Sequence, residues 1–174
     1  DGRATSASGE ADRLVDRSGS GHDALAVDAA SRAEAGEGWR FDGGDLYRIA
    51  DSRDLNTGGP YDGKTFALVI DAGADVAAPQ VIYEQGGALR GLSIYLEDGQ
   101  IVANAWNRAE TEWGPVAAAT DIAPGERAVI AVRMDASSGL LSAWKNGDAF
   151  GAIEGVGTLY GHLDDIGLGD TAGT

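Results

Sequence analysis

Apolar residues occur in short runs along the chain, and Gly, Asp, Asn and Pro separate the runs. Within a run the positions alternate: Leu92, Ile94 and Leu96 share one face, whereas Ser93 and Tyr95 share the other. A period of two is typical of a β-strand with one buried face, whereas a helix repeats about every 3.6 residues. The pattern predicts about nine strands, at 24–27, 46–50, 65–70, 81–84, 91–97, 100–106, 128–134, 140–145 and 163–168.

Two dipeptides, Asp98-Gly99 and Asn146-Gly147, predict hairpins between neighbouring strands. Both suit a two-residue turn, which needs the positive φ that Gly adopts without steric cost. Residues 28–35 have the length of two helical turns, but they offer no apolar stripe that could pack on a core. Many short strands without a convincing helix predict a β-sandwich or a β-barrel.

Composition narrows the class of protein. The 174 residues include 13 Lys and Arg against 28 Asp and Glu, which gives a formal net charge of −15. A field of this sign repels phosphate backbones and anionic lipid, so neither nucleic acid nor a membrane surface is an expected partner. Without Cys, the chain has no disulfide framework, thiolate metal site or thiol catalyst. Since no apolar run approaches the roughly 18 residues of a membrane span, we expect no membrane insertion.

Acidic residues interleaved with Gly in predicted loops are candidate calcium ligands, because calcium prefers carboxylate and carbonyl oxygens. An EF-hand is excluded: counted from Asp16, the twelfth position is Val27 rather than the required Glu. The sequence leaves open a calcium site of another type, at Asp16 and Asp23 or at Asp42 and Asp45. The alternative is that these carboxylates are solvated turn residues.

Patterns typical of catalytic sites are missing from the sequence. There is no Gly-x-Ser-x-Gly elbow, and neither His22 nor His162 has the i, i+4 partner of a helical zinc site. Glu110 and Glu112 have a spacing that would suit paired glycosidase carboxylates, but they lie in a predicted loop. The sequence therefore predicts that the chain is not an enzyme.

Polar and aromatic residues cluster where the strand at 100–106 ends. Asn104 and Trp106 fall on the face opposite the small apolar residues of that strand. An indole ring stacks on the apolar face of a sugar, and amide, guanidinium and carboxylate groups bind its hydroxyls. The predicted carbohydrate-binding residues are Glu84, Gln85, Asn104, Trp106, Asn107, Arg108 and Trp113. Alternatively, Trp106 or Trp113 covers the second face of a curved sheet, while Trp39 and Trp144 are assigned to the core.

An ordered series of motifs over about residues 13–170 resembles a known family. DRSGSGHDALAV (16–27) resembles the first loop of that family, and FDGGDLYRI (41–49) is similar to its F-D-G-x-D-x-Y strand. SAWKNGDAFG (142–151) and IGLG (166–169) resemble its hairpin and its I-G-x-G strand. The family is the laminin-G-like, concanavalin-A-like jelly-roll domain of bacterial extracellular proteins.

The resemblance implies an all-β fold: a two-sheet antiparallel jelly-roll sandwich with little or no helix. Residues 1–174 would form one such domain, with a loop-rich start over 1–23. The family's closing strand, of the type F-x-G-x-I-D-E-V-x-I-Y-N-R-A-L, does not occur before Thr174, so we expect another chain or segment to supply edge strands. The alternation within strands predicts a core of Phe66, Leu68, Ile70, Leu92, Ile94, Leu96, Ile130 and Val132.

The resemblance also implies a function. Members of the family are mostly lectin-like or adhesive modules, often with calcium at the rim, and the Glu-x-Asp-x-x-Glu strand of the related glucanases does not occur here. We therefore expect a non-catalytic carbohydrate-binding or adhesion module of a secreted or cell-surface protein, whose partner is a glycan or a glycosylated surface. The alternative is a ligand-free structural domain in a multimeric assembly, such as a phage tail or fibre or a surface layer.

Calcium should raise the melting temperature if the predicted site exists, because a ligand that binds only the folded state stabilises that state. The measurement compares thermal unfolding in millimolar calcium with unfolding after full chelation. Asp16→Asn and Asp42→Asn separate the two candidate loops, since only the variant at the true site should lose the shift. An unchanged melting curve after chelation would contradict the prediction.

Overall fold

Strands make up most of the regular structure in the computed structural model, which describes residues 12–30, 33–35 and 38–171. Because 51% is strand and 3% is helix, the predicted all-β class is confirmed. The only helical element among the described residues is one π-type turn, Arg53–Thr57, and no described helix is long and apolar enough to cross a membrane. The strands are β1 (Arg13–Leu14), β2 (Ala24–Ala26), β3 (Glu34–Ala35), β4 (Trp39–Arg40), β5 (Tyr47–Ile49), β6 (Gly63–Asp71), β7 (Gln80–Gly86), β8 (Arg90–Glu97), β9 (Gln100–Asn107), β10 (Trp113–Asp121), β11 (Arg127–Asp135), β12 (Leu140–Lys145), β13 (Asp148–Glu154) and β14 (Ile166–Leu168).

Two antiparallel sheets face each other. The larger has eight strands in the order β1-β2-β5-β14-β7-β8-β9-β10, and the smaller has four in the order β13-β12-β11-β6. β10 packs against β12 and β13, and β9 packs against β12, so the smaller sheet covers this part of the larger one. β3 and β4 pair as a separate hairpin. The predicted two-sheet antiparallel jelly-roll sandwich is confirmed.

A layer of apolar side chains fills the space between the sheets, because inward positions alternate along every long strand. Of the predicted core residues, five are buried in this layer: Leu92, Ile94, Leu96, Ile130 and Val132. The other three, Phe66, Leu68 and Ile70, pack against the same layer but are only half-buried. They belong to β6, the edge strand of the smaller sheet, which has a neighbour on one side only.

The two tryptophans assigned to the core have different positions. Trp39 is half-buried and packs against a second apolar cluster that includes Tyr47. Trp144 is not in the core: Ala143 beside it is fully buried, so alternation along β12 turns Trp144 to the outer face of the smaller sheet. The prediction for Trp144 is wrong because it treats Leu140 as an inward residue of β12, whereas the inward residue is Leu141, which is fully buried.

Both predicted hairpins are present. Asp98 and Gly99 have φ values of 51° and 75°, and Asn146 and Gly147 have 54° and 92°, so each pair has the two positive φ values of a type I′ turn. The Asp98-Gly99 turn fixes the register of β8 against β9, which in turn decides which outward side chains lie side by side.

β10 is the longest of the strands that the sequence pattern misses. Gly114, Pro115 and the alanines that follow have low strand propensity, so the segment lacks the usual signal. Pairing with β9 makes it a strand, and a register irregularity between Trp113 and Val116 accommodates Gly114 and Pro115. The possible helical turns at 28–35 do not form in the described part of that segment, where 34–35 is strand.

Shortening a buried side chain of β11 should destabilise the protein, whereas shortening a side chain on the outer face of β11 should have little effect. Ile130 is fully buried, whereas its neighbour Val129 is 48% exposed. Ile130→Ala should lower the free energy of unfolding by about 2–5 kcal/mol, and Val129→Ala by about 0.5 kcal/mol or less. Urea denaturation measures both variants, and equal losses would contradict the assignment of faces in β11.

Candidate functional site

A groove lies on the outer face of the larger sheet. The register places Glu84 of β7 opposite Ser93 of β8, and Ser93 opposite Asn104 of β9, so polar side chains form a row across three strands. Ser93 Oγ donates a hydrogen bond of 2.7 Å to Asn104 Oδ1, which fixes the orientation of that amide. The groove has a volume of about 310 Å³, and its lining residues are Val81, Glu84, Gly86, Gly87, Ala88, Ser93, Tyr95, Trp106 and Thr171.

The Trp106 ring lies against the sheet at one end of this groove. A Cβ built at Gly91 would come within 2.9 Å of the ring. The indole can therefore cover this position only because glycine has no side chain. The indole N–H donates to the carbonyl oxygen of Gly87 at 3.1 Å. Backbone contact and one hydrogen bond therefore hold a half-buried aromatic ring in a fixed position on an outward face.

Asn107 and Trp113 do not reach the groove, although the sequence placed them at a shared rim. β9 extends to Asn107, so alternation turns this side chain inward, opposite to Trp106, and it is fully buried. Its Nδ2 donates to Thr111 Oγ1 at 2.7 Å. Trp113 is 9% exposed, and its Nε1 donates to the carbonyl oxygen of Thr158 at 3.0 Å. Both side chains hold loops together at the end of the sandwich.

Gln85 and Arg108 also lie away from the groove lining. Gln85 is buried on the inner face, where its amide donates to the carbonyl oxygen of Leu55 at 3.0 Å and accepts from the hydroxyl of Tyr83 at 2.8 Å. Arg108 is exposed, and its backbone N–H donates to the carbonyl oxygen of Leu89 at 2.7 Å. Of the seven predicted carbohydrate-binding residues, the structure brings Glu84, Asn104 and Trp106 to the same outward face.

Several groove residues were missed by sequence reasoning. Ser93 and Tyr95 alternate with the predicted core residues of their strand, so the pattern put them on the outward face without pointing to a site. Counting back from the Asp98-Gly99 turn pairs Ser93 with Asn104, a signal that was available from the sequence. No such signal exists for Thr171, which comes to the groove only through the tertiary structure.

A buried polar cluster lies near one end of the groove. His162 is 7% exposed, and neither ring nitrogen has a hydrogen-bond partner among the described residues. Its Nδ1 lies 3.9 Å from the Asp164 carboxylate. Asn56 Nδ2 donates to the Asp51 carboxylate and, at 3.0 Å, to the carbonyl oxygen of Asp164. Burial in this cluster lowers the pKa of Lys64 to about 8.

In the first candidate calcium loop, backbone N–H groups of the same loop donate hydrogen bonds to the carboxylates of Asp16 and Asp23. Asp16 Oδ1 accepts from the Ser18 backbone N–H at 2.7 Å, and Oδ2 accepts from the His22 backbone N–H at 3.0 Å. These hydrogen bonds hold the pKa of Asp16 well below its ordinary value. Asp23 accepts from the Asp16 backbone N–H at 2.7 Å and pairs with Arg13 at 3.1 Å. The structure thus brings Asp16 and Asp23 together, with N–H groups and one guanidinium against their oxygens.

The second loop has a similar arrangement. Asp45 Oδ2 accepts from the Asp42 backbone N–H at 2.7 Å, and Asp42 Oδ1 accepts from the Gly44 backbone N–H at 3.0 Å. Within residues 12–30, 33–35 and 38–171, no group of three or more His, Asp or Glu side chains is placed to hold a metal ion. Calcium binding stays a prediction, which the melting experiment tests.

Comparisons with known proteins place the fold. No protein-family model and no curated protein sequence matches the chain. The structure is similar to the binding domain of Paraclostridial Mosquitocidal Protein 1, with a TM-score of 0.62 and 14% identity over 94% of this chain and 44% of that chain. It is also similar to a botulinum neurotoxin type C structure, with a TM-score of 0.54 and 10% identity over 91% and 39%. The cell entry of that toxin depends on interaction with two ganglioside molecules.

These similarities define a class of fold, a β-sandwich that also occurs in the binding domains of bacterial toxins. At such identities they show the fold alone. The chain spans less than half the length of the toxin structures that it matches.

The prediction that the chain is not an enzyme, which rests on missing sequence motifs, is wrong. The structure is also similar to alginate lyase A1-II', a member of polysaccharide lyase family-7, with a TM-score of 0.42 and 13% identity over 90% of this chain and 79% of that chain. Polysaccharide lyases thus occur beside binding domains among the similar structures, and the fold by itself does not establish catalysis.

Acid should destabilise the protein through His162. Burial lowers the pKa of His162 below its ordinary value of 6.5; Asp164 and Asp51 oppose this shift, and Lys64 adds to it. The unfolded chain therefore binds the proton near pH 6.5, and the folded chain binds it only at lower pH. The free energy of unfolding should fall as the pH drops from about 7 to about 5, measured by urea denaturation.

The other histidine of the chain provides the matched control. His162→Gln should flatten the pH dependence over this range, whereas His22→Gln should leave it in place. A slope that survives His162→Gln would assign the titration to another group.

Proposed function

We propose that the chain is a carbohydrate-binding module of a secreted or cell-surface protein, and that the groove on the larger sheet holds the sugar. The observation that carries this proposal is the fixed, half-buried Trp106 ring beside a row of polar side chains. Solvent-facing aromatic rings of this kind combine an apolar face with a polar edge, and this combination suits sugars.

The groove contains groups that can divide the recognition of a sugar between them. Trp106 offers its ring for stacking against the C–H face. The Tyr95 hydroxyl can donate or accept a hydrogen bond, and Glu84, which is 6% exposed, adds an acidic residue to the lining. A volume of about 310 Å³ lies near the lower end of small-ligand sites, which span about 300–1,000 Å³. The groove therefore suits a short glycan segment.

Charge favours a neutral sugar. The carboxylate of Glu84 lines the groove, whereas the exposed Arg108 is not among its lining residues. The chain as a whole carries a formal charge of −15. This net charge opposes an anionic ligand, so the groove is better suited to an uncharged glycan than to an acidic one.

The toxin domains support the proposal at a general level. Several similar structures are binding domains of toxins, and the cell entry of one toxin depends on gangliosides. These similar structures support a binding role at a cell surface, outside the cell that produces the protein. Calcium dependence is part of the proposal and is tested by repeating the binding measurement with a chelator.

Trp106→Ala should abolish or weaken glycan binding without unfolding the chain. A lost stacking contact of about 1–3 kcal/mol raises the Kd by about 5- to 150-fold. A glycan array identifies the ligand, and isothermal titration calorimetry then measures wild type and variant. Trp144→Ala is the matched control, because Trp144 is also half-buried and outward but lies on the smaller sheet.

Two results would overturn the proposal. Unchanged affinity in Trp106→Ala would remove the groove as the site. A wild-type chain that binds no glycan would instead favour the ligand-free structural alternative. Urea denaturation of Trp106→Ala confirms that the variant is folded before its binding is compared.

A further inference from the structure

We propose that the rim beside the groove enters the surface of an uncharged lipid layer, so that the glycan bound at Trp106 is the headgroup of a membrane glycolipid. The apolar rim is defined as Ala88 and Leu89 on the β7–β8 loop and Leu163 on the loop before β14. This inference rests on the proposed function, because the groove must bind the sugar part of the same molecule.

The rim exposes the two most solvent-accessible large apolar side chains of the described residues. Leu163 is 82% exposed, and Leu89 is 60% exposed. Single apolar residues at a surface are ordinary, but neighbouring ones form a patch. The proposal therefore depends on whether these two leucines lie together.

Two contacts join the loops that carry the leucines. Arg90 Nη1 donates to the carbonyl oxygen of Gly161 at 3.0 Å. On the other side, the Asp164 carboxylate lies against Gly87, where a Cβ would come within 3.0 Å of Oδ2. Leu89 lies between Gly87 and Arg90 along one loop, and Leu163 lies between Gly161 and Asp164 along the other. The two leucine side chains therefore project from the same rim.

The rim is continuous with the groove. Gly87 and Ala88 line the groove, and the next residue along the chain is the exposed Leu89. The carbonyl oxygen of Gly87 accepts the Trp106 indole N–H. A sugar stacked on Trp106 therefore lies at the same end of the molecule as the leucines, where its lipid anchor can remain in the bilayer.

Charge selects the kind of lipid surface. Arg90 is paired with Glu110 at 2.8 Å, so this cation at the rim is already compensated. The net charge of −15 repels anionic lipid. The expectation from the sequence that a membrane surface is not a partner rests on this repulsion, and the expectation of no insertion concerns a membrane-spanning segment. That repulsion does not act on a zwitterionic surface, which two leucines can enter without spanning the membrane.

Vesicle binding tests the inference. Sedimentation is measured with phosphatidylcholine vesicles that contain neutral glycosphingolipids, and calorimetry is measured with the oligosaccharides released from the same lipids. Leu89→Ser with Leu163→Ser should weaken vesicle binding by about tenfold or more and leave oligosaccharide affinity unchanged. Val69→Ser with Val129→Ser is the matched control, because these side chains are 57% and 48% exposed but lie side by side on the smaller sheet.

Each outcome separates this inference from the proposed function. Equal vesicle binding by the rim variant and wild type would overturn the lipid contact and leave the glycan site standing. Loss of oligosaccharide binding in the rim variant would also overturn it, since the leucines would then act in the groove. Unchanged oligosaccharide binding in Trp106→Ala, or none by wild type, would overturn the proposed function instead.

Two further arms report on the rim directly. Leu163→Trp should gain fluorescence quenching by brominated phosphatidylcholine over that of wild type, and Val69→Trp, on the smaller sheet, should not. Phosphatidylserine added to the vesicles should weaken binding, because the chain is acidic. Absence of added quenching, or tighter binding to phosphatidylserine, would overturn insertion into an uncharged surface.

Discussion

The apolar layer between the two sheets is the interaction on which the rest of the structure depends. Ile101, Ile130 and Leu141 are fully buried in it, and they come from both sheets. Because strand positions alternate, burying one face of β8 and β9 sends every second residue outward. The groove is the consequence: Ser93 and Trp106 face solvent because their neighbours in the strand are required inside.

The end of the sandwich is held by polar groups rather than by this apolar layer. Gln85, Asn107 and Trp113 are buried there, and each makes a hydrogen bond to a loop. Buried polar groups are costly when unpaired, so these contacts fix loop positions as well as contributing stability. Three residues with the chemistry expected of a sugar site thus hold loops in place instead of lining the groove.

The same architecture occurs in toxin binding domains, at identities too low to carry a function over from them. Function therefore depends on what each chain places on its outer surfaces. Here those features are a fixed indole beside a carboxylate and two exposed leucines at the adjoining rim. The field of this acidic chain repels anionic ligands, which is why the proposed glycan is an uncharged one.

The sequence by itself determined the all-β class, most of the strands, the Asp98-Gly99 and Asn146-Gly147 turns and the core face, because these follow from local alternation and turn chemistry. It also put Trp106 on an outward face. It missed β10, whose Gly, Pro and Ala residues become a strand only through pairing with β9. Only the tertiary structure decided that Asn107 turns inward and that Thr171 reaches the groove, because strand ends and contacts between distant segments depend on packing that no local pattern encodes.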